Sequence, residues 1–458
     1  MAAKRLARGE VPLTALSGVE LRDRLASGAL QAEDVAKAFL AEIQAREPEV
    51  RAWAFLDSDD VLGQARRLDA LRRSGRPVGP LHGLPVGLKD IIDVAQTPTE
   101  NGTPLDKGRV PTADAVVAAR LRSAGAILMG KTVSTELAYL HPGPTRNPAA
   151  PNHTPGGSSS GSAAAVAARM TPLAVGTQTG GSVIRPAAYC GCVGFKPTFG
   201  AIPRTGILPQ SPNLDTVGVF AGSVEDAAML AEVLFGHDAG DPATHPAPPP
   251  RLLDVCLSQP PMKPTLAFLR PPGFEDGAPV MREAMAELVS ALGGQCFEVT
   301  LPPAFDSAAD IRERINFAEM AKCYFNYEKR GWDGLSEVIR QAMSAGKAVA
   351  ARDYISALDW ADVLNAGLDE IFSRCDAIMT PATPGPAPEG LESTGSAIFN
   401  GLWTLCRTPA ITVPLLETQT GLPLGVQLVG RRGDDARLLR TARWLAHDFP
   451  SIMAGEKS

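Results

Sequence analysis

Two serines framed by glycines, and one lysine in an apolar run, carry the chemistry open to this 458-residue sequence. Ser182 ends the segment TQTGGS, Ser158 follows Gly156 and Gly157 in GGSSSGS, and Lys89 sits in LPVGLKDIIDV. A serine hydroxyl attacks a carbonyl carbon only when a base takes its proton, and donors must then hold the oxyanion that forms. Gly180 and Gly181 have no Cβ, so the main-chain N–H groups of Thr179, Gly180, Gly181 and Ser182 can turn toward one point beside Ser182, an oxyanion hole. Ser158 precedes the small-residue stretch SAAAVAA, which predicts a loop entering a tightly packed helix, where a small hydroxyl fits as a proton relay. Lysine titrates near ~10.4 in water, so Lys89 can act as a base near neutrality only if burial keeps it neutral, and its apolar neighbours predict that burial. Neutral Lys89 would take a proton from Ser158 while Ser158 takes one from Ser182; the reverse transfer would protonate a leaving amine. Taken singly, Gly-Gly-Ser reads as a flexible turn and Lys-Asp as a surface pair. The order and spacing of all three segments favour catalysis.

The stretch resembles the amidase signature family of serine hydrolases, whose pattern runs from a GGSS segment through G-T-x-x-G-G-S to a tail that reads PAAYCGCVGFKPT here. Ser158 and Ser182 stand 24 residues apart, the family's spacing, and Lys89 lies in the matching context PVGLKD. The resemblance implies that Ser182 is the nucleophile, Ser158 a bridging serine held by a cis peptide bond, and Lys89 the base. It covers roughly residues 15 to 447 and is weakest between 240 and 370.

Two positions depart from the common family form. Gln178 stands where an acid usually lies four residues before the nucleophile, and the arginine is displaced by one, to Arg185. The form GTQTGGSVIRPAAYCG looks like the malonamidase branch, in which an arginine at this offset grips the carboxylate of a small dicarboxylic monoamide. Arg185 and Gln178 are therefore the candidate substrate-binding residues, Arg185 through a bidentate pair. The plainer reading of Arg185 is that it satisfies nearby carbonyls or pairs with Asp215.

Competing signals fail on context. GAILMGKT matches the phosphate-loop template, but a helix leads into it and its centre is apolar, so it reads as a core strand. The pair Cys190 and Cys192 has no second pair at zinc spacing, and no H-E-x-x-H occurs, so neither metal nor cofactor is expected. No G-x-S-x-G elbow supports a histidine triad, although His141 and His153 fall in the loop approaching Ser158 and could line a pocket.

A charge of −6 and a lack of long basic runs argue against a nucleic-acid partner; RRLDALRRSGR at 66–76 reads as a solvated helix end. Seven cysteines, an odd number, fit reduced thiols better than a disulfide framework. The amino-terminal stretch MAAKRLARGEVPLT lacks a signal-peptide core, and no segment reaches the ~20 apolar residues of a membrane span. The expectation is a cytoplasmic enzyme without a membrane partner, with homodimerisation left open.

Helical spacing over 12–46 and at about 58–74, with a helix then an apolar strand over 114–130, gives the alternation of an α/β core. TLAFLR at 265–270 and QCFEVTLP at 295–302 read as strands around a helix at 279–293. The expected fold is one large α/β domain over 1–458, a mixed central sheet covered by helices on both faces, with the signature core at about 80–225. A variable helical cap at about 308–372 holds Phe317, Tyr324, Phe325, Trp332, Tyr354 and Trp360, some of which should shape the leaving-group side. The expected activity is hydrolysis of a linear amide C–N bond, on a small-molecule substrate that could bear a carboxylate. Alternatives are a carbamate, ester or aryl-amide hydrolase with the same triad, and the glutaminase subunit of a tRNA-dependent amidotransferase.

Overall fold

Helix and strand alternate along the chain as the apolar spacing predicts. The computed structural model describes residues 11–453, so the first ten residues of the stretch read for a signal peptide lie outside it, as do the last five. Helices Gly18–Ser27, Ala32–Val50 and Ser58–Arg73 fall where periodicity places them. Ser17 and Asp57 cap the first and third by accepting main-chain N–H bonds.

Among the described residues, eleven strands form one mixed sheet: β1 (Trp53–Leu56), β2 (Pro85–Lys89), β3 (Ile127–Thr132), β4 (Leu173–Gln178), β5 (Val193–Lys196), β6 (Thr216–Ala221), β7 (Leu266–Leu269), β8 (Cys296–Val299), β9 (Ala377–Pro381), β10 (Ala410–Glu417) and β11 (Pro423–Val429). Their order is β1-β3-β2-β4-β6-β5-β10-β11-β9-β7-β8. Every residue of β2, β4 and β6 is buried, which requires cover on both faces; the edge strands β1 and β8 are only partly buried. Helices flank the sheet, and the whole is a single α/β domain of the expected class.

Strands β2 and β4 run parallel with Leu88 opposite Val175. That register brings Lys89, the last residue of β2, to the same end of the sheet as Thr177 and Gln178. Open α/β sheets place their sites at the carboxyl ends of parallel strands. The segment GAILMGKT contains β3, and Lys131 is fully buried there, donating to the Ile92 carbonyl and to Thr99 Oγ1 at 2.8 Å. It is a core strand.

The stretch from 308 to 372 holds helices Ala308–Cys323, Phe325–Gly331, Glu337–Lys347 and Ala351–Phe372. Tyr324 and Tyr327 pack there with Met320, Ile339, Met343 and Leu137, so most of the region's aromatic surface serves a core of its own.

Candidate active site

Lys89 has no solvent exposure. Its Nζ donates to Ser158 Oγ at 2.6 Å and to Thr177 Oγ1 at 3.0 Å. Burial lowers the Lys89 pKa to about 7, against the upward pull of the Asp215 carboxylate. Asp215 is itself raised to about 6 by burial, although it accepts bonds from Thr179 Oγ1 at 2.6 Å and from the N–H groups of Gln210 and Ser211. Thr177 was not singled out from the sequence although it lies inside the GTQTGGS motif, and Asp215, 33 residues past Ser182, was named there only as a possible partner of Arg185.

The loop bearing Ser158 is fixed from three sides. The Gly157–Ser158 peptide bond is cis. Thr135 N–H donates to the Ser158 carbonyl at 3.1 Å, and Ser159 Oγ donates to the Thr177 carbonyl at 3.1 Å. The helix that follows, Ser160–Ala167, is buried at every position except Ala167. A Cβ at Gly161 would lie 2.3 Å from both the Ala52 carbonyl oxygen and the Val133 nitrogen, so only glycine lets this helix approach the strands so closely.

Thr179, Gly180, Gly181, Ser182 and Arg185 line one cavity of about 440 Å³. Among the described residues, no protein acceptor takes the main-chain N–H groups of Gly180, Gly181 and Ser182, so these donors are free to meet a ligand. Gly181 must be glycine, since a Cβ there would sit 2.5 Å from Asn400 Oδ1. Phe317 is the one member of the six cap aromatics among the lining residues; neither His141 nor His153 is among them.

The two expected substrate-binding residues sit differently. Gln178 is 1% exposed and outside the lining; its Oε1 accepts from the N–H groups of Val183 and Ile184 at 2.9 and 3.0 Å, and its Nε2 donates to Thr404 Oγ1 at 3.1 Å. It holds the start of helix Ile184–Cys190, a task a carboxamide meets without placing a charge there. Arg185 touches the cavity, but its Nη1 donates to the Gly395 carbonyl at 2.7 Å and its Nη2 to the Gly157 carbonyl at 2.5 Å. The fork expected to grip a carboxylate is thus turned onto main-chain oxygens, one of them next to Ser158. No Asp215–Arg185 pair forms.

A mixed sheet with the site at the carboxyl ends of parallel strands, a buried lysine on a serine and a glycine-cradled second serine define the class of amidase-signature amidohydrolases. The chain belongs to the Amidase family, whose model matches residues 34–439. It is 32% identical over 461 residues to a glutamyl-tRNA(Gln) amidotransferase subunit from Chloroflexus aggregans, covering 91% of this chain and 93% of that one. Among solved structures, the peptide amidase from Stenotrophomonas maltophilia superposes with a TM-score of 0.83 at 29% identity, covering 96% of this chain and 97% of that one. A chain from a vestigial protein complex, described as revealing the origins of an s-triazine catabolic enzyme, gives 0.87 at 27% identity over 94% and 98%. Among the described residues no helix is long and apolar enough to cross a membrane.

Proposed function

We propose that the protein hydrolyses the C–N bond of a linear amide through an acyl-Ser182 intermediate. The observation that carries this reading is the 2.6 Å bond from a fully buried Lys89 to Ser158. Ser182 Oγ attacks the carbonyl carbon, its proton passes to Ser158, and the Ser158 proton passes to neutral Lys89. The N–H groups of residues 179–182 hold the oxyanion. On collapse the proton returns through Ser158 to the departing amine, and water, deprotonated along the same path, releases the acid and frees Ser182. Arg185 and Gln178 position the two serine loops in this scheme. The malonamidase likeness then extends to the arginine's place in the sequence, while its guanidinium bonds to carbonyls.

The test is amine release by the purified chain. Ser182→Ala should abolish nearly all turnover and Lys89→Ala most of it; wild-type rates in Ser182→Ala would remove the assignment. A second reading, glutaminase subunit of a tRNA-dependent amidotransferase, is favoured by the amidotransferase relatives. Under it the isolated chain should leave glutamine intact until its partner proteins are co-expressed, whereas turnover of simple amides by the chain alone decides for the first reading.

A further inference from the structure

The cavity over Ser182 contains a second arginine that the proton relay does not use. Arg312 lies on helix Ala308–Cys323, which faces the cavity with residues 308, 309, 312, 313, 316 and 317, the three-and-four spacing of one helical face. Its side chain is 21% exposed, yet it donates no hydrogen bond to any described residue. The nearest carboxylate oxygen is that of Glu313, 3.7 Å away and 53% exposed. A pair so long and so open to solvent contributes little. Asp306, the other acid of the lining, is also exposed. Arg185, by contrast, gives both terminal nitrogens to main-chain carbonyls. A largely buried guanidinium with no acceptor is costly, so an anionic group entering the cavity would meet an unsatisfied fork.

Gly401 makes space that Arg312 occupies, since a Cβ there would stand 2.7 Å from Arg312 Nε, and Gly180 lies beside the guanidinium, where a Cβ would meet Nη1 at an ordinary contact of 3.5 Å. Gly180 belongs to the loop that ends in Ser182, so the guanidinium rests against the nucleophile's own loop. A ligand touching both spans only a short chain.

We infer that Arg312 is the anion-recognising residue of this site, selecting amides whose acyl part ends in a carboxylate a few bonds from the scissile carbonyl. This rests on Ser182 as nucleophile and deepens that reading by naming the substrate class. Arg312 pairs with the carboxylate while the carbonyl oxygen meets the N–H groups of 180–182.

The experiment compares kcat/KM for succinamate and for pentanamide, a neutral amide of similar length, in wild type, Arg312→Met, Arg312→Lys and Gly401→Ala. A charge-assisted bidentate pair predicts a wild-type preference for succinamate of about tenfold or more. Arg312→Met should remove it by loss on succinamate alone, Arg312→Lys should restore part of it, and Gly401→Ala, which pushes Nε aside, should lower it. Equal loss on both amides in Arg312→Met, or a wild type indifferent to the carboxylate, overturns the inference. Succinate binding to Ser182→Ala, measured by calorimetry, keeps the question separate from turnover. The affinity should fall about tenfold when Arg312→Met is added, and no binding to Ser182→Ala overturns the inference whatever the kinetics. Undiminished turnover in Ser182→Ala would instead remove the nucleophile and leave the binding result standing.

Discussion

Lys89 ends β2 without solvent contact, and burial brings its pKa down to about 7 although the Asp215 carboxylate pulls it up. The protonated ammonium can donate to Ser158 but cannot accept from it, so under the proposed mechanism the competent form is the neutral amine. For a neutral amide, kcat/KM should therefore climb by up to about tenfold per pH unit below pH 7 and level off above it. Asp215→Asn removes the charge that raises the lysine, so the midpoint should move to lower pH. A pH-rate profile checks both, and a midpoint indifferent to Asp215 would count against Lys89 as the titrating base. The role of Asp215 comes from β6 folding back beside β4, where Gln178 pairs with Thr216. No spacing in the sequence announces that neighbour.

Helix Ser160–Ala167 shows why small residues surround Ser158. Ser162 Oγ bonds with Thr132 Oγ1 at 2.7 Å and donates to the Val175 carbonyl at 3.2 Å, tying the helix to β3 and β4 within the space that alanines leave. Gly161→Ala would drive a methyl into the main chain at Ala52 and Val133, both backbone atoms that cannot step aside. Overpacking of this kind costs about 1–3 kcal/mol and occasionally more. Gly222→Ala is the control, since a Cβ there meets nothing within 4 Å; its effect should stay within about 0.5 kcal/mol. Urea midpoints for the two variants check the contrast, and equal shifts would mean that the helix can move off the strands. The composition SGSAAAVA made this packing legible, because a run of small residues has little other use in a buried helix. The direction of Arg185 was not legible: the residue is in the motif, but its acceptors, Gly157 and Gly395, lie 28 and 210 residues away.

Across the whole molecule, what could be read from the sequence divides by contact range. The stretch from 155 to 200 holds both serines, the glycines and their helices, so its local arrangement was readable; the cavity wall needs Arg312 and Gly401, brought in by helices far along the chain. Lys196, in the same stretch, has no place in the proposed relay. It is fully buried, donates to the carbonyls of Pro197 and Thr408, and joins β5 to the segment entering β10. Burial lowers its pKa to about 7 despite Asp435, so Lys196, like Lys89, releases its proton some three units before an unfolded lysine does. Below pH 7 both carry the full cost of a buried charge. From there to about pH 10 the unfolded chain holds protons that the folded chain has lost, so stability rises with pH, by up to about 1.4 kcal/mol per unit for each lysine. Lys196→Met loses two hydrogen bonds but also the buried charge, and its urea midpoint should climb less steeply between pH 7 and 9 than that of the wild type. Every other titrating group is common to both proteins, so parallel slopes would show that Lys196 keeps its proton in the fold.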